Sequence, residues 1–151
     1  TTVVFTIDKT APVVSGVVDG SSYNSDVTIS FNEGTATLNG NPFTDGSTVD
    51  AEGSYTLVVT DAAGNSTTVT FTIDKTAPQA KLYGVENFGV TKGSAWITAS
   101  EGNLTCWYIK DEIFRDTYTI GQELTTHGKY VVYVSDLAKN YISFEFEIDK
   151  P

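Results

Sequence analysis

A nine-residue string at the start of the chain returns almost letter for letter further on, and this repeat limits the possible folds more than any other feature. Residues 1–9 read TTVVFTIDK and residues 67–75 read TTVTFTIDK, so that Ile7 corresponds to Ile73. A looser copy closes the chain at residues 143–150, where Ile148 corresponds to Ile73. Such self-similarity is typical of repeat arrays, in which each copy is one small structural unit. The sequence therefore predicts tandem modules.

A second landmark predicts where the modules begin and end. Six residues between Gly53 and Asn65 recur between Gly128 and Asn140, in the same register that matches Ile73 with Ile148. We predict modules over residues 10–75 and 76–151, with residues 1–9 as the last strand of a preceding, truncated module. The second module is the divergent copy, with a longer hairpin over residues 103–119. About seven residues are gained there, and we place the gain between Cys106 and Tyr118.

Alternating side chains indicate strands within each module. In the first module Val27, Ile29 and Phe31 alternate with Thr28 and Ser30, the period of two that marks a half-buried strand. Turn-forming pairs separate such segments at Asp19-Gly20, Asn39-Gly40 and Asp45-Gly46. Six or seven short strands per module predict an all-β sandwich.

The run GSYTLVVTDAAGNSTTVTFTIDKTAP, residues 53–78, resembles the bacterial immunoglobulin-like repeat domains of Gram-positive surface and secreted proteins. The resemblance covers both modules and is weakest over residues 85–118. It implies two tandem immunoglobulin-like β-sandwich modules in a protein that is extracellular, either secreted or attached to the cell wall. Domains of this family usually act as spacers in adhesins and secreted enzymes, and they share no catalytic residues.

The net charge and the single cysteine exclude several kinds of partner and covalent cross-link. Nineteen acidic and nine basic side chains give a net charge of -10, which repels nucleic acids and anionic lipid surfaces. No apolar stretch approaches the roughly 20 residues that a membrane span requires. Cys106 is the single cysteine, so it forms no internal disulfide. Because it alternates with the inward Leu104, we expect it to be a buried free thiol.

The sequence predicts that the protein is not an enzyme and needs no cofactor. His127 is the only histidine, and no acidic partner or nucleophile is spaced around it as a catalytic group requires. One metal hypothesis stays open at the module boundaries, where Asp8 and Asp74 each precede a lysine. A calcium ion between modules is one interpretation of these carboxylates, and ordinary solvated turn residues are the other.

Four residues are predicted to have structural roles. Tyr55 and Tyr130 stand near the start of the penultimate strand of each module, which suits a buried ring whose hydroxyl bonds to nearby backbone, as in a tyrosine corner. Asp61 and Asp136 begin the loop that follows. We expect each carboxylate to cap its loop through hydrogen bonds to backbone N–H groups.

The second module has an aromatic excess that predicts an exposed surface feature. Strand alternation places Trp107 and Tyr133 on one outward sheet face, flanked by Glu145 and Glu147. Such a face suits a sugar, because aromatic rings stack on the apolar side of the sugar and carboxylates accept hydrogen bonds from its hydroxyl groups. In the alternative interpretation, the long hairpin folds its own Phe114 and Tyr118 over these rings.

Two functions follow from these observations. The first is a non-catalytic spacer or stalk in a bacterial surface or secreted multidomain protein of the adhesin type, whose partners are the neighbouring domains of the same chain. The alternative is a module that binds carbohydrate or another host ligand through the aromatic face, in an adhesin or a secreted glycosidase.

The apolar alternation of residues 2–7 also predicts pairing with a sheet edge or another copy; self-association through residues 1–9 would be an artefact of excision.

Overall fold

The all-β class is confirmed by the computed structural model, which describes residues 1–151 and contains fifteen strands and no helix. The chain divides into two compact units, Thr1–Lys75 and Thr76–Pro151. Each unit has its own hydrophobic core. The two units are described separately.

The first unit is built from eight strands. They are β1 (Val14–Ser15), β2 (Ser21–Tyr23), β3 (Val27–Phe31), β4 (Thr35–Leu38), β5 (Asn41–Phe43), β6 (Ser47–Val49), β7 (Gly53–Thr60) and β8 (Ser66–Ile73). One sheet has the order β1-β3-β6 and the other has the order β2-β8-β7-β4-β5. All pairs are antiparallel except β2 with β8, which run parallel.

The core of the first unit lies between these two sheets. Ile29 of the small sheet and Leu57 and Val59 of the large sheet are completely buried in one cluster. Thr28, the neighbour of Ile29 along β3, is exposed. The predicted alternation of β3 is therefore confirmed, and burial of its branched side chains fixes the strand's register.

The second unit repeats this plan with seven strands. They are β9 (Ala80–Tyr83), β10 (Val90–Thr91), β11 (Trp96–Ala99), β12 (Thr105–Lys110), β13 (Phe114–Thr117), β14 (Gly128–Ser135) and β15 (Tyr141–Ile148). The large sheet has the order β10-β15-β14-β12-β13, with β10 and β15 parallel, and β9 pairs with β11. A bridge between Ala95 and Leu124 brings a third segment beside β11.

The register of the strands corrects the predicted position of the inserted residues. Ala36 lies opposite Val59 in the first unit, and Cys106 lies opposite Val134 in the second, so these two pairs correspond. Upstream of them, the buried Ile29 of β3 corresponds to the buried Ile97 of β11. Counted between these equivalent positions, two of the seven extra residues precede Cys106 and five follow it. Placing all of them after Cys106 was therefore wrong.

The segment before β1 contains no strand. Residues 1–13 have no regular secondary structure, and the side chains of Val3 and Phe5 are 79% and 76% exposed. The prediction that residues 2–7 pair with a sheet edge of this chain is therefore wrong. Their sequence copy forms β8, which already pairs with β2 on one side and β7 on the other, so β8 has no free edge. Contact with another copy stays a prediction.

Candidate functional site on the second unit

In each unit, a tyrosine hydroxyl bonds to the loop that precedes the penultimate strand. The Tyr55 hydroxyl donates to the Ala51 carbonyl oxygen at 2.8 Å, and the Tyr130 hydroxyl donates to the Thr126 carbonyl oxygen at 2.9 Å. The Tyr130 ring is almost completely buried. In each unit the hydroxyl satisfies a backbone carbonyl four residues upstream, which fixes the chain as it enters β7 or β14.

The two loop aspartates cap their turns in the same way. Asp61 Oδ1 accepts hydrogen bonds from the backbone N–H groups of Ala63 and Asn65, both at 2.8 Å, and Asp61 Oδ2 accepts from the Asn65 side chain. These bonds, with the Asn65 side chain the largest cause, lower the pKa of Asp61 below its usual 3.8. Asp136 accepts the corresponding bonds from Asn140. The two carboxylates therefore stabilise the loop between β7 and β8 and the loop between β14 and β15.

The boundary aspartates are not gathered into a metal cluster. Asp8 Oδ1 accepts from the Thr10 N–H at 3.0 Å, and the Asp8 carbonyl accepts from the Asn65 side chain at 3.2 Å. No three or more His, Cys, Asp or Glu side chains, those of Asp8 and Asp74 included, are arranged to hold a metal ion. The calcium hypothesis stays a prediction with no support from this geometry.

Cys106 lies in the core of the second unit, whereas His127 lies on its surface. Cys106 is a buried free cysteine, as expected, and burial raises the pKa of its thiol above the usual 9.0. A thiol of this kind stays protonated and unreactive near neutral pH. His127 is exposed, and its Nδ1 lies 3.8 Å from an oxygen of Asp149. Both side chains of this pair are exposed.

The outward face of the second unit's large sheet carries a row of rings. We use this name for the ring side chains that point away from the core on β15, β14 and β12. The Trp107 and Tyr133 rings are stacked with centroids 5.2 Å apart and planes 12° apart. Tyr141 packs on Tyr133 at 6.0 Å, and the Arg115 guanidinium lies 5.2 Å from the Trp107 ring. The structure thus brings together the two predicted aromatic residues.

The long hairpin contacts this row through Arg115 and not through Phe114 or Tyr118. Phe114 packs on Tyr108, with ring centroids 6.3 Å apart, and not on Trp107 or Tyr133. Tyr118 is buried in the core, where its hydroxyl accepts from Ile97 N–H and donates to the Gln122 carbonyl oxygen. The interpretation that Phe114 and Tyr118 fold over the outward rings is therefore wrong. Instead, the rings contact each other and the arginine.

The predicted carboxylates lie in a groove on the same outward face. Glu145 and Glu147 project from β15 and line a cavity of about 230 Å³, whose lining does not include Trp107 or Tyr133. The lining includes the apolar residues Phe88, Val90, Ile109 and Val131, together with the buried Tyr130 and Phe146. Its remaining charged side chains are Glu112 and Lys129. We call this cavity the groove.

Phe88 is a residue of the groove that sequence reasoning missed. It has a backbone φ of +64° and a side chain that is 75% exposed. A bulky residue rarely adopts this left-handed conformation. The missed signal was the alignment of Asn87-Phe88 with Asp19-Gly20, in the register that matches Ile97 with Ile29. This alignment puts phenylalanine in the place of a turn glycine.

The first unit serves as an internal comparison for this face. Register pairing matches Trp107 and Tyr133 with Thr37 and Val58, and it matches Glu145 with Thr70. The outward groove positions Lys129, Val131 and Glu147 correspond to Ser54, Thr56 and Thr72. The two units therefore share their core and their caps, but the large ring and charged side chains on this face belong to the second unit.

Comparison with known proteins gives one sequence relative. An alignment of 104 residues with the outer cell wall protein of Brevibacillus brevis is 36% identical and covers 59% of this chain and 10% of that protein. The chain thus matches about a tenth of the relative's length. No protein-family model matches the chain. The structure contains no helix of the length and apolar character needed to cross a membrane.

Two solved structures show a weak likeness to the chain. Murine CEACAM1b aligns with 85% of this chain and 95% of its own, at 11% identity and a TM-score of 0.33. A Ca2+-stabilized, ice-binding adhesin of an Antarctic bacterium aligns with 95% of this chain and 50% of its own, at 18% identity and a TM-score of 0.31. TM-scores this low do not establish a shared fold.

Proposed function

We propose that the chain is a non-catalytic, load-bearing spacer in a bacterial surface or secreted multidomain protein. One observation carries this proposal. In each unit, a strand near the beginning runs parallel to the last strand: Ser21–Tyr23 of β2 pairs with Phe71–Ile73 of β8, and Val90–Thr91 of β10 pairs with Glu147–Ile148 of β15. This arrangement determines how a unit responds to a pull on its two ends.

Force applied to the ends of such a unit acts along the paired strands in opposite directions. The hydrogen bonds between two parallel strands are evenly spaced, so sliding one strand past the other loads them together. Strands that are peeled apart from one end break their bonds one at a time, at a lower force. The parallel pairing therefore makes each unit resistant to stretching.

Side chains reinforce the same interface in the first unit. Asp19 Oδ1 accepts from the Thr70 N–H at 2.8 Å and from the Thr70 hydroxyl at 2.7 Å, which ties the start of β2 to β8. Beyond the end of β8, Lys75 Nζ lies 2.6 Å from Asp26 Oδ1, and this hydrogen bond raises the pKa of Lys75. Both contacts join segments that a pull would separate.

Further observations support the surface location and the family that we propose. The outer cell wall relative supports an extracellular position, either secreted or attached to the cell wall. The strand orders β1-β3-β6 and β2-β8-β7-β4-β5 support assignment of each unit as a tandem immunoglobulin-like sandwich module. The protonated Cys106 thiol and the exposed His127 support a function without catalysis.

Single-molecule force spectroscopy on the whole chain, held at its two ends, tests the spacer proposal. We expect two discrete rupture events, each of which releases the folded span of one unit, Val14–Ile73 or Ala80–Ile148, roughly 200–230 Å when extended. Smooth extension without discrete ruptures would show that the units bear no load, and would contradict the proposal.

A second candidate function is ligand binding through the outward face of the second unit. The observation that favours it is the row of rings at positions where the first unit carries small side chains. A carbohydrate that stacks on Trp107 would have to displace Tyr133 or Arg115, because these cover the indole ring. Glycan-array binding that is lost in a folded Trp107→Ala chain would support this candidate, and an array without signal would count against it.

A further inference from the structure

We propose that the groove binds a basic segment of a protein partner, with a lysine or arginine side chain laid along its apolar floor. The proposal does not depend on the load-bearing role, because it concerns the outward face of one unit only. It is carried by the lining of the groove, by the charge of that lining and by the backbone at Phe88.

The floor of the groove is aliphatic and its rim is acidic. Ile109 and Val131 are half-buried and form part of the apolar lining, together with Val90, which is 64% exposed. Long basic side chains bury their methylene stems on surfaces of this kind and keep the charged end at the rim. The cavity of about 230 Å³ lies below the range of about 300–1,000 Å³ that is usual for small-molecule sites, and suits one side chain.

The rim carboxylates are available for such a charge. The lining contains Glu112, Glu145 and Glu147 against the single cation Lys129, a balance of -2. None of these three carboxylates forms a salt bridge with a lysine or arginine side chain. A cationic side chain placed between them would gain charge-assisted hydrogen bonds.

Phe88 supplies a ring face at the same rim. Its ring takes part in none of the stacked or cation contacts that occupy Trp107, Tyr133 and Tyr141, and it is mostly exposed. A guanidinium or ammonium group over a free ring face is attracted by the electrons of the ring. The backbone that holds Phe88 is the left-handed turn that the first unit builds with Gly20.

Charge also selects among the possible occupants. The whole chain carries a net charge of -10, so a second copy of the same chain would be repelled. The hydroxyl groups of a neutral glycan would donate hydrogen bonds to the carboxylates but leave the charge of the rim uncompensated. A basic peptide matches the aliphatic floor, the ring and the carboxylates together.

The test uses 15N-labelled whole chain and two capped nonapeptides in NMR titrations. The first peptide alternates lysine with valine and threonine, and the second has glutamine in place of each lysine. We expect the lysine peptide to shift amide signals around the groove, and the glutamine peptide to leave them unchanged. The signals expected to shift are those of residues 88–90, 109, 129–131 and 145–147.

Variants separate the groove from general electrostatics. Phe88→Gly and the double change Glu145→Thr, Glu147→Thr each restore residues of the first unit, and we expect each to weaken lysine-peptide binding at least about tenfold. The double change Glu33→Thr, Glu123→Thr removes the same charge elsewhere and should weaken it less than about threefold. Folding is checked by the remaining NMR spectrum.

Three results would overturn the proposal. The first is the absence of groove shifts with the lysine peptide. The second is an equal loss of affinity in the Glu33, Glu123 control, which would indicate non-specific attraction. The third is the binding of a neutral glycan that produces the groove shifts in the parent chain but not in the Phe88→Gly chain. This result would assign the groove to carbohydrate.

Discussion

Phe88 of the second unit occupies the backbone position that Gly20 occupies in the first. Their φ angles are +64° and +75°, and each N–H donates to the last strand of its unit, to the carbonyl oxygens of Glu145 and Thr70. The preceding side chains, Asn87 and Asp19, accept from the N–H groups of the same two strand residues at 2.8 Å. One turn is therefore built twice, once with glycine and once with a bulky residue.

Phe88→Gly should not destabilise the second unit. The left-handed conformation costs a non-glycine residue about 1–2 kcal/mol, and the added freedom of glycine in the unfolded chain offsets about half of this. Because the Phe88 side chain is mostly exposed, little packing is lost. We expect the free energy of unfolding to rise by up to about 1 kcal/mol, measured by urea unfolding with tryptophan fluorescence, since both tryptophans lie in this unit. A clear loss of stability would mean that the ring packs on the unit.

Gly16→Ala should be severely destabilising, and Gly20→Ala should be the mild control. Both glycines have a positive φ, but a Cβ at Gly16 would lie 1.9 Å from the Thr28 carbonyl oxygen, whereas a Cβ at Gly20 meets nothing within 4 Å. We expect a loss of about 3 kcal/mol or more at Gly16 and of about 1 kcal/mol at Gly20. Urea unfolding of the two variants measures the difference. Equal losses would show that only the left-handed backbone matters and not the close approach of β3.

The face on which each strand residue lies was predictable from the sequence, whereas the contacts between side chains on the outward face were not. Alternation alone placed Trp107 and Tyr133 on one face and Cys106 in the core, because a strand has only two faces. It did not show that Trp107 and Tyr133 stack on each other, or that Glu145 and Glu147 belong to a separate groove. Those facts depend on which strands are neighbours and on the course of the chain at Phe88.

Acid should weaken the first unit through Asp61. The pKa of this carboxyl is lower in the folded unit than its usual 3.8, so its contribution to stability is complete above that value and is lost as the pH falls below it. Asp61→Asn removes this titration. We expect its melting temperature to lie below that of the parent at neutral pH, with a difference that shrinks as the pH falls below the usual value, measured from NMR signals of β7 and β8. A constant difference across this range would contradict the assignment.

Cys106 should react only when the second unit opens. The thiol is 8% exposed and burial raises its pKa, so both access and ionisation are limited. We expect labelling by a thiol reagent in native buffer to be slower than in concentrated urea by at least about a hundredfold. Fast labelling of the native chain at neutral pH would show that β12 separates from β14 without global unfolding.

The central claim is that the parallel pairing of β2 with β8 bears load in the first unit, and one paired comparison tests it directly. Asp19→Ala removes the side-chain acceptor that ties β2 to Thr70, while Asp45→Ala removes a similar acceptor for Phe31 N–H, which lies outside that strand pair. Both changes should lower the melting temperature to a similar degree. In single-molecule pulling of the whole chain, only Asp19→Ala should lower the rupture force of one of the two events. Equal rupture forces in the Asp19→Ala chain and the parent would contradict the account.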